Sequence, residues 1–323
     1  MLLSPVPMHI PDGFLSVAVS LVLWAISLVA VGYALKRVNA DVDERRVPLM
    51  GVLAACIFAG QMLNFTVTGG TSGHLMGAAL ATILLGPWAA LLVMTCVVGV
   101  QALVFQDGGL LALGANIFNM GVVGVTVSYF ASQALRRLFQ KVAPDARWTL
   151  PVNGFATGWL SILVASLACA LQLALSGTSP ANVAIPAMAG IHALIGVGEG
   201  LITAGALVFL VAARRDLVQP ENAAPVVAGK AVWGAGLIIA ALLAIASPLA
   251  SAHPDGLEWV AEQKGFLDGA QASIYDLIPD YVLPGVANES LATILAGIIG
   301  LLIVAGAATA VAYARRKRQV IAR

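Results

Sequence analysis

The sequence predicts an all-α fold, a polytopic transmembrane bundle of about seven helices followed by a two-helix C-terminal appendage. Three observations point there. Hydrophobic residues make up 60% of the 323-residue chain and charged residues only 10%, against about 45–50% and about 25% in an ordinary soluble protein. Too little polar side chain exists to cover a water-exposed surface, so lipid must be the solvent over most of the outside. The apolar residues gather in runs near the roughly 20 that cross a bilayer as helix, and the cations cluster between particular runs while missing between others. The formal net charge of +1 carries no message about partners, and no nucleic-acid partner is expected.

Taken in order, the runs are Phe14 to Leu35, Leu49 to Val67, Ala89 to Phe105, Leu110 to Leu135, Val152 to Leu175, Ile185 to Ala213, Ala231 to Leu249 and Leu291 to Ala314. Leu75 to Leu85 is shorter and is set off by Gly86-Pro87. It suits an abbreviated helix buried in protein, where irregular backbone is tolerated. Lys and Arg lie in 36–46, 136–147, 214–230 and 315–323, which the positive-inside rule makes cytoplasmic. Connections 68–74, 106–109 and 176–184 have no Lys or Arg, and 251–289 has only Lys264, so these belong outside. Parity then requires a cytoplasmic turn at Gly86-Pro87, giving nine helices in a bacterial inner membrane, with an external N-terminus and a cytoplasmic C-terminus. The Pro- and Ala-rich stretch 216–229 reads as a cytoplasmic linker between a body, 8–215, and the appendage, 230–323. Residues 1–7 form a proline-interrupted leader without the pattern of a cleaved signal. Cys56, Cys96 and Cys169 sit in apolar runs without CxxC spacing and are expected as buried small hydrophobes.

Polar residues are expensive in such a chain and therefore informative. Met8-His9-Ile10-Pro11-Asp12-Gly13 precedes the first helix, with Pro-Asp-Gly making a turn. Alone, His9 reads as a solvated loop histidine. A second histidine, His74, ends the polar segment 68–74 on the same predicted outer side, at the mouth of the abbreviated helix. Alone, it reads as a capping or interfacial residue. Gln61 and Asn64 are about one helical turn apart on one predicted face. Their amides would be costly facing lipid and suit an inward face that hydrogen-bonds a site. A histidine second from a free amine chelates well, because amine, intervening amide and imidazole nitrogens close fused rings around one cation. One more imidazole completes a tetragonal four-nitrogen set, which points to Ni(II) or Cu(II) and accepts Co(II). Such an amine has an unperturbed pKa of about 7.7–8.0, so metal can displace its proton near neutral pH. His192 and Glu199 lie seven residues apart on one helix, hence on one face, where interhelical hydrogen bonding and a proton relay are the alternatives. Asp107, Asn116 and Asn119 fall near an external mouth, as lining of a metal path or as helix caps.

The motifs MHIPDGFLS at 8–16, QMLNF at 61–65, GGTSGHLMG at 69–77 and QDGGLLALGANIFNM at 106–120 resemble the CbiM/NikM family. These are substrate-binding membrane subunits of energy-coupling-factor importers for cobalt and nickel. The resemblance covers 8–215 and implies a seven-helix body with the N-terminus tucked inward. It implies Ni(II) or Co(II) as transported substrate, held by the Met8 amine, the His9 amide and imidazole nitrogens, and the His74 imidazole, with Gln61 and Asn64 supporting these ligands. It also implies partners, a transmembrane coupling subunit and paired ATPase subunits on the cytoplasmic side, since this chain has no GxxxxGK[ST] loop. The segment from His253-Pro-Asp-Gly through Trp259, with Glu262 and Gly265-Phe266, is similar to the PDGLE region of the small NikN partner subunit. By that resemblance the external loop assists metal loading, the two helices pack on the body, and nickel is favoured over cobalt. His253 itself is expected as a loop residue. In the family the chelating Met is the first residue, whereas seven residues precede Met8 here. Translation is therefore expected to begin at Met8, or the leader to be removed, with Met8 retained because His9 is bulky. Two other classes compete. An intramembrane hydrolase would pair Ser72 with a histidine, but HExxH is missing and Ser72 is too close in sequence to His74 to be a positioned pair. A self-sufficient channel or carrier would show an inverted repeat or a chain of intramembrane carboxylates, and neither is evident.

Overall fold

A computed structural model describes residues 9–41, 46–213 and 230–321. The leader 1–7, Met8 and the linker 216–229 lie outside the described residues. The apolar runs fold as helices α1 (Val17–Asp41), α2 (Arg46–Gln61), α3 (Ala78–Leu85), α4 (Pro87–Phe105), α5 (Leu113–Asn116), α6 (Gly124–Val142), α7 (Thr149–Leu175) and α8 (Ala181–Ala213). The appendage supplies α9 (Lys230–Ala246), a short α10 (Gly256–Lys264) and α11 (Glu289–Ile321). Six spans among the described residues are long and apolar enough to cross a membrane, with Pro48–Gln61 and Gly234–Leu249 as shorter apolar helices. Residues such as Val17, Leu21, Val29, Leu201 and Leu242 are exposed on the outside, where only lipid would accept them. The protein is a multi-pass membrane protein.

Helix α3 shows why the abbreviated run is stable. Eight residues reach only about 12 Å at 1.5 Å per residue, so α3 cannot cross alone and must sit in protein. Its residues Ala78 to Thr82 and Leu85 are all buried. The Thr82 hydroxyl donates to the Ala78 carbonyl at 2.7 Å. Gly86, at φ +78°, turns the chain and donates to the Thr82 carbonyl, and Pro87 opens α4 at the position where its missing N–H costs nothing.

Two expected elements differ. The run 49–67 does not continue as helix beyond Gln61, because Phe65–Val67 (β1) pairs antiparallel with Thr71–Gly73 (β2) around Gly69-Gly70, both at positive φ. Aromatic and β-branched residues beside a glycine turn favour that hairpin. Asn64 therefore lies in the turn before β1, not on a helical face with Gln61. The run 110–135 begins as helix only at Leu113 and contains a π segment, Ile117–Val123, joining α5 to α6. Such wide turns are frequent at functional sites. Here the segment turns Asn119 toward α7, where its amide exchanges hydrogen bonds with Gln172 at 2.9 and 2.6 Å.

Helices α9 and α11 pack against α2, and α11 also against α1 and α4. The connection between α9 and α11 drapes over one end of the bundle. Ser251 N–H donates to the Asn64 carbonyl, Ser72 N–H to Pro254, Gln271 N–H to Asp12 and Ile278 N–H to Val104. At the same end the Thr178 hydroxyl donates to the Phe14 carbonyl. The connections poor in Lys and Arg thus meet one another, together with the segment that leads into α1.

Candidate metal centre

His9 and His74, separated by 65 positions in the chain, meet in this end of the bundle. Their ring centroids are 5.7 Å apart at 64°. Imidazole nitrogens bind a metal at about 2.0–2.1 Å, as at zinc, and rings this close are within reach of one ion. Both line a cavity of about 90 Å³ that also touches Asn116, Met120, His192 and Asp255. Among the described residues no group of three or more His, Cys, Asp or Glu side chains is placed to hold a metal. The two imidazoles are the nitrogen side chains brought close enough here to share one ion, with Asn116, Asn119 and Met120 among the other polar or sulfur side chains beside them.

The strand of chain carrying His9 is fixed by reciprocal bonds. Asn116 accepts from Ile10 N–H at 3.0 Å and donates to the Ile10 carbonyl at 3.1 Å, Gly109 N–H donates to the same carbonyl, and Asp12 accepts from Ala112 N–H at 2.9 Å. Gly108, at φ +95°, permits this approach: a Cβ there would stand 2.9 Å from the His9 Cβ and 2.8 Å from the Asn116 amide. Buried Asp107 completes the clamp. One of its oxygens, Oδ1, accepts from His9 N–H at 3.2 Å and lies 2.9 Å from His9 Nδ1. Its Oδ2 accepts from the Tyr281 hydroxyl at 2.6 Å. Nδ1 meets Asp107 as a charge contact without forming a directed hydrogen bond, and Nε2 is buried without a hydrogen-bond partner.

Electrostatics divide the two imidazoles. Burial disfavours the charged form of His9, but the attraction of Asp107 outweighs it and raises its pKa above the ordinary value. Burial likewise pushes the Asp107 carboxyl up, while His9 and the Tyr281 hydroxyl more than reverse that and hold it below its usual range. Burial, then the neighbouring His9 charge, push His74 down to about 4. His74 is thus a neutral ring near pH 7. Its Nδ1 lies 3.0 Å from the Leu75 carbonyl, which can only accept, so the proton sits on Nδ1 and Nε2 keeps the lone pair.

The backbone just after His74 is held from two helices. Glu199 of α8, fully buried, accepts from Met76 N–H at 2.6 Å and Gly77 N–H at 3.1 Å, so its carboxylate caps the start of α3 from a distance. Gln61 of α2 donates to the Met76 carbonyl at 2.9 Å. Gln61 therefore touches the segment that follows His74. Asn64 does not: its backbone carbonyl receives Ser251, and its side-chain oxygen is buried without a hydrogen-bond partner. His192 shares a helix with Glu199 but bonds its own turn, Nδ1 lying 2.9 Å from the Met188 carbonyl, with the ring against Gly256 of the appendage. His253 is exposed. Ser72 is buried and its hydroxyl donates to the His253 carbonyl at 2.8 Å, so it forms no nucleophile–imidazole pair.

Sequence reasoning placed Asp107 only at a mouth and did not find Tyr281 or the clamp by Glu199. One signal was available. A carboxyl inside a membrane helix faces the bundle interior and seeks hydrogen-bond partners there, and the glycine-rich start of an abbreviated helix offers N–H donors.

Residues 9–217 match the family described as the cobalt uptake substrate-specific transmembrane region, CbiM, and residues 230–317 match the PDGLE domain. A putative fused nickel transport protein NikMN of Archaeoglobus fulgidus is 38% identical, covering 92% of this chain and 95% of that protein. A cobalt transport protein CbiM of Sorangium cellulosum is 34% identical over 66% of this chain and 95% of its own length. A crystal structure of a transition metal transporter is 33% identical, with a TM-score of 0.56, covering 67% of this chain and 98% of that one. The chain belongs to the CbiM family of nickel and cobalt transport membrane proteins, with a PDGLE domain fused behind the family region.

Proposed function

We propose that this chain is the metal-binding subunit of an ATP-driven, energy-coupling-factor-type importer whose substrate is one Ni(II) or Co(II) ion. The observation that carries the reading is the meeting of His9 and His74 at 5.7 Å in a buried pocket at the end of the bundle. The His9 amide nitrogen and Nδ1 lie 3.2 and 2.9 Å from the same carboxylate oxygen of Asp107, close enough to one another to share one ion in a fused chelate ring. The Met8 amine supplies the third nitrogen of that chelate and His74 the fourth, a tetragonal set suited to Ni(II) and acceptable to Co(II). This requires a mature chain that begins at Met8. Gln61 holds the His74 segment.

The site end faces outward and the end bearing the Lys and Arg clusters faces the cytoplasm, where a coupling subunit and ATPases dock. The nickel named in fused relatives makes nickel the favoured cargo here. Support comes from the fused relatives of Archaeoglobus fulgidus and Rhodobacter capsulatus, named nickel transport proteins and matched over 92% and 93% of this chain. The test is metal content of the purified full chain after exposure to Ni(II) or Co(II) and desalting, with intact mass read on the same sample. Near-stoichiometric metal is expected, lost in His9→Ala and in His74→Ala. Stoichiometric metal in both variants, or tight binding by a chain that still carries residues 1–7, would remove the chelate.

A further inference from the structure

The fused region lines the candidate metal centre with Asp255 and Leu257, and it reaches the Asp107 side of His9 through Tyr281. Segment 275–281 lies over the end of α4: the Tyr275 hydroxyl donates to the Leu103 carbonyl at 2.9 Å, Leu277 N–H to Gln106 Oε1 at 3.3 Å, and Ile278 N–H to the Val104 carbonyl. It ends in an unusual turn, with Asp280 at φ +52° and Tyr281 at φ +58°. Two successive residues with side chains in the left-handed region are strained and persist only where surroundings impose them. What the turn achieves is the seating of Tyr281. Its ring stacks on Phe105 at 4.7 Å and 14°, and its hydroxyl meets Asp107 Oδ2. The opposite oxygen of that carboxylate faces both His9 nitrogens.

We infer that Tyr281 is a positioning residue for metal binding, acting through Asp107. By anchoring Oδ2, the hydroxyl keeps Oδ1 beside both His9 N–H and Nδ1, so the carboxylate keeps these two nitrogens on the same side of the residue until an ion takes its place. Tyr281 thereby presets the chelate without itself being a ligand. The inference rests on the proposed role of His9. Without Asp107 so held, the His9 ring would be free to rotate about its side-chain torsions and would have to be fixed when metal arrives, lowering affinity. Asp107 lies at the ligating nitrogens themselves, so its effect is on how far the free site is ordered before metal arrives, and ordering one side chain on binding costs a few-fold to about tenfold in affinity.

The experiment is Ni(II) titration of the full chain beginning at Met8, in detergent, by calorimetry and by the visible absorption of the bound ion. Tyr281→Phe keeps the stacked ring and removes only the hydroxyl. It is expected to weaken binding a few-fold to about tenfold and to broaden the absorption bands, as the coordination plane is less well fixed. Asp107→Asn should weaken binding at least as much, and the double variant no more than Asp107→Asn alone, because the two act in series. Affinity and spectrum unchanged in Tyr281→Phe while His9→Ala abolishes binding would overturn this inference and leave the functional reading standing. Losses that add in the double variant would also overturn it, making Tyr281 only a support of the appendage. Full binding by His9→Ala would remove the functional reading itself, and this inference with it.

Discussion

Replacing Glu199 by Gln isolates the clamp behind His74. In the native protein one carboxylate accepts two buried backbone donors, Met76 N–H at 2.6 Å and Gly77 N–H at 3.1 Å. Hydrogen bonds to a charged group contribute about 1.5–3 kcal/mol each, and neutral ones about 0.5–1.5. Glutamine keeps one acceptor oxygen and turns an amide donor toward the second N–H, so one charge-assisted bond becomes neutral and the other is lost. The local cost is about 2–4 kcal/mol. Part of it is offset because a neutral amide is cheaper to bury than a carboxylate. A net loss of about 1–2 kcal/mol remains in holding the His74 segment, which is a 5- to 30-fold fall in metal affinity if that segment must be ordered to bind. Gln61 still holds the Met76 carbonyl, so the fold should survive and the midpoint of thermal unfolding should move by only a few degrees. The assay is competition for Ni(II) against a chelator of known affinity, alongside a thermal melt. Unchanged affinity in Glu199→Gln would refute the argument that the carboxylate positions His74. A Glu199→Ala protein, which strands both N–H groups and opens a cavity, should be far less stable than Glu199→Gln.

Three further outcomes are expected. Gly108→Ala should lower both thermal stability and metal affinity, by about 1–3 kcal/mol in stability, because its Cβ would press on His9 and Asn116, whereas Gly99→Ala, which meets nothing within 4 Å, should be near neutral. Metal affinity should rise with pH through the neutral range, since the raised pKa of His9 keeps a competing proton there, while His74, pushed down to about 4, adds competition only in stronger acid. Asp107→Asn removes the influence that raises His9 and should move the midpoint of that pH profile downward, even as the affinity at its plateau falls.

The helices were legible because lipid demands long apolar runs, and the abbreviated α3 because Gly86-Pro87 punctuates it. The same hydropathy hid the hairpin at 65–73, where Phe65-Thr66-Val67 is as apolar as a helix end but has its partner strand four residues beyond. The π segment has no sequence signature at all, since it is set by the reciprocal pairing of Asn119 with Gln172 across 53 positions. The two histidines could be paired by motif resemblance. What surrounds them could not, because Asp107 is 98 residues from His9, Glu199 is 123 from Met76, and Tyr281 is 174 from Asp107. Tyr281 looked like any loop aromatic, and its role depends on a backbone turn that local sequence does not announce.

If one ion is wrapped by nitrogen from the start of the mature chain and from two imidazoles, X-ray absorption at the nickel edge of the loaded full chain will show it. The expected spectrum is a four-coordinate shell of nitrogen alone with outer scattering from two imidazole rings, reduced to one ring in His74→Ala and lost with the metal in His9→Ala. A six-coordinate shell of oxygen, or sulfur ligands from the nearby methionines, unaffected by either substitution, would contradict it.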